Sequence, residues 1–223
     1  MRWWRALAIA PVAAMLLTGP VLAQESTPDT GEADSPRLVA PEECANQVAE
    51  PRAYEDLAAV LNLEGEGVPA PPTTQINAPL GEVADLDTAI AIEETARLVL
   101  ACFNAGDFLR SAALMTDNGV TRAFWGLTID QENRDLAQER LQAAPEPRAA
   151  EFLTRLMTVT DVSTLPDGRV AAFVVFNEPL LPPGGPETLL FVFANQDGEW
   201  LVDDWIDFSI VPANFGAEST PAP

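Results

Sequence analysis

The sequence contains no histidine and no lysine, and its only tyrosine is Tyr54. Without histidine, neither a Ser-His-Asp triad nor a Cys-His pair can form, so two widespread mechanisms of nucleophilic catalysis are excluded. The glycine-rich motifs that bind nucleoside phosphates or dinucleotides are also absent. The sequence therefore carries no established catalytic signature, and we expect no bound cofactor.

Basic residues are scarce. Twelve arginines stand against 34 acidic residues, which gives a formal net charge of −22. Nucleic acids and anionic lipids both require a basic surface, so both are disfavoured as partners. We interpret the acidity as a feature that keeps the chain soluble and limits non-specific association.

Long apolar runs are missing except near the N-terminus. Residues 6–17 are apolar, follow Arg2 and Arg5, and end at Gly19-Pro20. With a small-residue cleavage site at 21–23, residues 1–23 predict a secretory signal peptide, although an uncleaved anchor is the alternative. We therefore expect a secreted or extracytoplasmic protein with no membrane span after cleavage.

The sequence has only two cysteines, Cys44 and Cys102. An even number of cysteines in an exported chain favours a disulfide, which would attach the N-terminal part of the chain to the central helix. A metal pair would need further histidine or cysteine ligands, and a reactive thiol would need a cationic neighbour. We therefore predict a structural disulfide and no metal site.

Composition divides the rest of the chain. Residues 24–41 are rich in polar residues and predict a disordered linker, whereas residues 42–86 predict an extension with one short helix after Pro51 and a proline-rich loop. Residues 87–210 predict the main domain, and residues 211–223 a flexible tail.

Within the domain, residues 87–104 predict a long helix with an apolar stripe that leaves Asn104 off the buried face. Asp87 is the expected N-cap and Gly106 the expected helix end.

Shorter elements follow this helix. We predict helical segments at 108–115, 120–129, 132–143 and 148–156, with Asp107 capping the first and a turn at 117–119 ending it. From residue 157 the period changes to two, which predicts antiparallel strands at 157–165, 169–177, 188–194 and 199–208. In the last strand, alternation places Asp204 with Trp200 and Val202, and Trp205 with Leu201 on the opposite face.

Two motifs carry a family resemblance. Residues 104–108 (Asn-Ala-Gly-Asp-Phe) join two helices, and residues 197–205 (Asp-Gly-Glu-Trp-Leu-Val-Asp-Asp-Trp) form the last strand. Both resemble the nuclear transport factor 2-like superfamily, which includes ketosteroid isomerases and small polyketide cyclases. The leader, linker and paired cysteines resemble a group of exported bacterial proteins. The resemblance implies an α+β fold in which a curved antiparallel sheet wraps around the long N-terminal helix as a cone, preceded here by a helical extension.

Candidate site residues follow from this fold. In the isomerase branch, the resemblance implies a carboxylate base and a tyrosine donor, but Tyr54 lies outside the matching region. Asp204 is the candidate acid or base, because its strand parity places it on an apolar face. The alternative is a paired or rim-exposed acid near a strand bulge. A calcium site formed by Asp203, Asp204 and Asp207 lacks the spaced ligand loop of dedicated sites. Four aromatic residues could line an apolar pocket or simply fill the core: Trp125, Phe176, Phe193 and Trp205.

These observations predict an exported, non-catalytic domain that binds an apolar small molecule or acts as an interaction module. One alternative is an isomerase or lyase that uses Asp204 on a hydrophobic substrate. Another is a dimerising scaffold whose outer sheet face, with Leu201 and Trp205, pairs with a second copy.

Overall fold

A computed structural model describes residues 37–48, 50–72, 81–179 and 186–207. The predicted signal peptide at 1–23, most of the predicted linker, the tail at 211–223 and Phe208 lie outside the described residues. Within them, no helix combines the length and apolar character needed to cross a bilayer.

The described chain is an α+β domain, as predicted. Its helices are α1 (Pro41–Gln47), α2 (Tyr54–Val60), α3 (Leu86–Ala105), α4 (Phe108–Ala113), α5 (Asp117–Phe124) and α6 (Gln131–Gln142), with short 3-10 helices at Trp125–Thr128 and Ala150–Phe152. Its strands are β1 (Arg37–Leu38), β2 (Glu82–Val83), β3 (Arg155–Thr164), β4 (Val170–Asn177), β5 (Pro186–Gln196) and β6 (Glu199–Asp207).

The six strands form one antiparallel sheet in the order β1-β3-β4-β5-β6, with β2 also paired to β3. The four long strands were predicted from the sequence, whereas β1 and β2 were not, because two residues are too few to show a period of two. Since β1 pairs with β3 and Val39 is 1% exposed, the folded chain already includes residues 37–39, within the predicted linker.

The central helix α3 is 20 residues long and begins two residues earlier than the sequence pattern predicted. Its N-cap is Asp85, whose side chain accepts a hydrogen bond from the backbone N–H of Thr88, so the prediction that Asp87 caps the helix is wrong. Gly106 ends the helix with a φ of 66°, a left-handed conformation that glycine adopts without steric penalty. Asp107 then caps α4, as predicted.

Asn104 lies on the buried side of α3, contrary to the sequence prediction. It is fully buried, and its side-chain N–H groups donate to the carbonyl oxygens of Val39 and Thr154, each at 2.9 Å. Its side-chain oxygen accepts from the backbone N–H of Thr154 at 2.9 Å. These bonds stabilise the chain just after β1 and just before β3, where the backbone lacks ladder partners. A polar residue is therefore required inside the core at this position.

Two predicted local structures are wrong. Residues 117–119 do not end a helix; Thr116 accepts from the backbone N–H of Gly119 and caps the start of α5. Residues 148–156 do not form a regular helix, because only Ala150–Phe152 makes a 3-10 turn before the extended chain enters β3. Arg155 pairs there with Asn177, and the adjacent backbone is already bonded to Asn104.

A bulge changes the faces of β6. Val202 pairs with Phe193 but Asp204 pairs with Val192, so Asp203 is the extra residue. After a bulge, side-chain alternation shifts by one residue. Trp205 consequently packs against the core and stacks on Phe191 with ring centroids 5.8 Å apart. The prediction that Trp205 shares an outer face with Leu201 is therefore wrong.

The predicted disulfide is present between Cys44 in α1 and Cys102 in α3, and both residues are fully buried. Arg97 of α3 pairs with Glu43 and donates a 2.8 Å hydrogen bond to Gln47, so polar contacts join the same two helices. The cysteines are 58 residues apart in sequence, and a crosslink of that span contributes about 4 kcal/mol in the chain-entropy model.

Candidate functional site

Asp204 is paired inside the protein. It is 4% exposed, and Arg122 of α5 donates from Nε to its Oδ1 at 2.6 Å. The backbone N–H of Trp205 also donates to this oxygen, at 2.8 Å. Arg122 also donates a hydrogen bond from Nη2 to the carbonyl oxygen of Pro72 at 2.7 Å. A carboxylate held in this way beside a bulge matches the structural alternative for Asp204 rather than a group presented to a substrate.

Asp203 forms a second polar centre at the bulge. Its carboxylate accepts from the Thr116 hydroxyl at 2.7 Å and from Arg169 at 2.9 Å, while Asn118 donates to its backbone carbonyl at 2.8 Å. Arg169 also donates to the Asp167 side chain, and this hydrogen bond lowers the pKa of Asp167 and raises the pKa of Arg169. The negative charges of Asp167 and Asp203 are thus balanced by Arg169 of the same chain.

The aspartates near the bulge do not assemble into a cation site. Among the residues that the structure describes, no three histidine, cysteine, aspartate or glutamate side chains come together in a way that could hold a metal ion. Asp203 instead pairs with Arg169, just before β4, and Asp204 pairs with Arg122 in α5.

The four aromatic residues predicted to line a pocket are placed differently. Phe193 is fully buried and Phe176 is 8% exposed, so both belong to the core. Trp205 packs against that core, and Trp125 is half-buried at the start of the first 3-10 helix. None of the four lines either of the two clefts described below.

The larger of these clefts was not predicted from the sequence. It encloses about 570 Å³ and lies between the segment before α2, the connection from α4 to α5, and the end of the sheet. Ala113, which is half-buried, contributes apolar surface, whereas Ala112 and Met115 line the cleft but are only 0% and 2% exposed. Arg52 pairs with Asp117 in the same lining. The remaining lining residues are Glu50, Pro51, Thr116, Asn118, Gln196 and Asp203. Because the lining comes from segments far apart in the chain, no local motif indicates it.

Close contact between α5 and β6 positions one wall of this cleft. The backbone N–H of Thr116 donates to the carbonyl oxygen of Val202 at 3.0 Å, and the N–H of Val202 donates to the carbonyl of Leu114 at 2.9 Å. Gly119 packs directly on the same strand, since a Cβ at this position would lie 2.2 Å from the Val202 oxygen. The cleft wall is therefore held by backbone contacts to the edge of the sheet.

A smaller cleft of about 380 Å³ lies beside the turn between α3 and α4. Its lining includes Asp107 and Arg110, which pair with each other at 2.6 Å, together with Pro145 and Pro147. Both charged groups are thus used within the protein.

No protein-family model, curated protein or solved structure matches the chain. The resemblance to the nuclear transport factor 2-like superfamily consequently depends on residues 104–108 and 197–205, and it stays a prediction.

Proposed function

We propose that this protein is an exported, non-catalytic interaction module, built on a nuclear transport factor 2-like cone, whose partner binds in the 570 Å³ cleft. The ion pair between Arg122 and Asp204 carries the proposal. This ion pair engages the carboxylate of Asp204, the candidate acid or base that strand alternation had indicated. The sequence has no histidine that could serve as the acid or base instead.

The cleft supports binding of a polypeptide better than binding of an apolar small molecule. Its apolar floor is short, and its walls offer carboxylate, guanidinium and amide groups at Glu50, Arg52, Asp117, Asn118 and Gln196. Specific protein interfaces combine such a small apolar centre with a polar rim. By contrast, Phe176 and Phe193, which would have lined an apolar pocket, are already buried in the core.

The disulfide supports the proposed location outside the cytoplasm. Structural disulfides persist mainly in oxidising compartments. Both cysteines are paired, and burial of the pair makes it a structural rather than a reactive bond. Identification of the N-terminus of exported protein tests this part of the proposal, and intracellular protein that retains Met1 would contradict it.

Site-specific photo-crosslinking tests the binding cleft. A benzophenone side chain is introduced at Ala113, a half-buried cleft residue, and in a matched variant at Leu136, an exposed residue of α6 outside the cleft. After irradiation of cells that export the protein, we expect a discrete crosslinked protein from position 113 only. Equal patterns from both positions would contradict the proposal.

Native mass spectrometry of the exported protein separates the alternatives. We expect an oxidised chain without a co-purified small molecule. A bound apolar molecule would favour the small-molecule alternative, and turnover of an identified substrate that is lost in a folded Asp204→Asn variant would favour an enzyme. The dimer alternative has lost part of its basis, because Trp205 packs on Phe191 instead of facing outward.

A further inference from the structure

An exposed apolar surface lies at the start of the central helix, and its residues line neither of the two clefts. Val83 in β2 is 90% exposed, and Leu86 and Ile90 in α3 are 74% and 54% exposed. Leu86 and Ile90 are four residues apart and share one helix face. Val83 precedes Leu86 by three residues, a separation of at most about 11 Å. We name these three residues the N-terminal patch.

The N-terminal patch is not needed to attach α3 to the core. The helix is held there by other residues, among them Ile92, Ala96 and Val99, which are all fully or almost fully buried. Single exposed aliphatic side chains are ordinary on protein surfaces, but a contiguous group of them is typical of interaction sites. The first turns of α3 therefore present a second apolar face toward solvent.

The charged residues that flank the N-terminal patch in sequence are all acidic. Residues 81–96 include no arginine, and their charged residues are Glu82, Asp85, Asp87, Glu93 and Glu94. Asp85 stays ionised, since the hydrogen bond from the backbone N–H of Thr88 lowers its pKa. Asp85 and Asp87 also stabilise the helix N-terminus, whereas Glu82 lies in β2 before the helix and Glu93 and Glu94 lie beyond its first turn.

We propose that the N-terminal patch is a docking surface for a basic amphipathic helix of a partner protein. An amphipathic helix presents apolar anchors at i, i+3 or i+4 spacing, which matches the spacing of Leu86 and Ile90. Lysine or arginine beside those anchors meets the acidic rim, and such complementarity speeds association and makes it salt-dependent. A second copy of this chain fits poorly, because two surfaces of the same negative charge repel each other.

Fluorescence anisotropy tests the proposal with a labelled 18-residue helical peptide of leucine and lysine as the probe. The proteins are the unaltered chain, the double variant Leu86→Ser/Ile90→Ser, and the control Ile129→Ser, which removes an aliphatic side chain that is 61% exposed elsewhere. We expect the double variant to weaken binding at least tenfold and the control to leave it unchanged. Equal binding by all three proteins would overturn the proposal.

Two further measurements make the test specific. A leucine and glutamate peptide of the same length should bind at least tenfold more weakly than the lysine peptide, and equal binding would overturn the role of the acidic rim. Sedimentation should show a monomer, whereas self-association abolished by Leu86→Ser/Ile90→Ser would assign the N-terminal patch to a second copy instead. Crosslinking from position 113 does not involve these residues, so the two proposals fail independently.

Discussion

Replacement of Asn104 should destabilise the protein far more than replacement of an ordinary surface asparagine. In Asn104→Ala, three buried backbone groups lose their partner: the carbonyl of Val39 and both the carbonyl and the N–H of Thr154. Each residue involved is at most 1% exposed, so water reaches these groups poorly. A buried polar group without a partner costs about 1–3 kcal/mol. With partial relaxation, we expect a total loss of about 3–5 kcal/mol.

Urea unfolding followed by tryptophan fluorescence measures this loss, and thermal unfolding should show a decrease of about 6–20 °C in Tm. Asn118→Ala is the matched control, because Asn118 is exposed and donates a single hydrogen bond to the carbonyl of Asp203. For the control we expect a loss of about 1 kcal/mol or less. Equal losses in the two variants would refute the reasoning, since they would mean that water or relaxation satisfies the groups around Asn104.

A charge variant at the same position adds a pH signature. Asn104→Asp keeps an acceptor for the Thr154 N–H but directs a carboxylate at two carbonyl oxygens. Burial and these oxygens favour the protonated form, so the introduced carboxyl has a higher pKa in the folded than in the unfolded protein. The folded state then binds more protons, and stability relative to the unaltered protein should rise as the pH falls from 7 toward about 4. A stability difference that does not change with pH would contradict this account.

Three other changes test separate contacts by urea unfolding. Cys102→Ser should lower the free energy of unfolding by about 4 kcal/mol, and a loss below about 1 kcal/mol would show that the crosslink does little to constrain the unfolded chain. Arg122→Ala should lower it by about 3–5 kcal/mol, because Asp204 is left buried without its cation, and the added change Asp204→Ala should recover part of the loss; no recovery would contradict the ion-pair account. Gly119→Ala should lower the free energy of unfolding by about 1 kcal/mol or more, the usual cost of overpacking. The control Gly126→Ala, whose added Cβ would have nothing within 4 Å, should be neutral or stabilising, and equal effects of the two substitutions would refute the close contact between Gly119 and β6.

The features that the sequence predicted correctly are local or covalent. A glycine in the left-handed region ends α3, Asp107 caps α4, and alternating Val and Phe residues form the long strands. The disulfide followed from the count of two cysteines and the predicted leader. Such features depend on a few neighbouring residues, so propensity and spacing are enough to find them.

The features that the sequence missed depend on distant partners. Asn104 was predicted to lie off the buried face because it falls outside the apolar stripe. Nothing near it in sequence shows that Val39 and Thr154 need hydrogen-bond partners. Trp205 was assigned to the wrong face, because one extra residue at Asp203 shifts the alternation and no turn residue marks the bulge. For Asp204 the sequence offered an acid or base on an apolar face or, alternatively, a paired or rim-exposed acid near a bulge, and the structure matches a paired acid. Its partner could not be named, since Arg122 is 82 residues away in sequence.

The position of the disulfide also determines how the domain responds to mechanical force. Force applied to the chain before Arg37 is first resisted by the two-residue pairing of β1 with β3, and then by the hydrogen bond from Asn104 to the carbonyl oxygen of Val39. Beyond Cys44, force passes through the sulfur atoms directly into the middle of the fold, so the 58 residues from there to Cys102 cannot be drawn out. That span corresponds to about 200 Å of extended chain. An oxidised molecule stretched from its N-terminal end would lengthen by that much less than a reduced one.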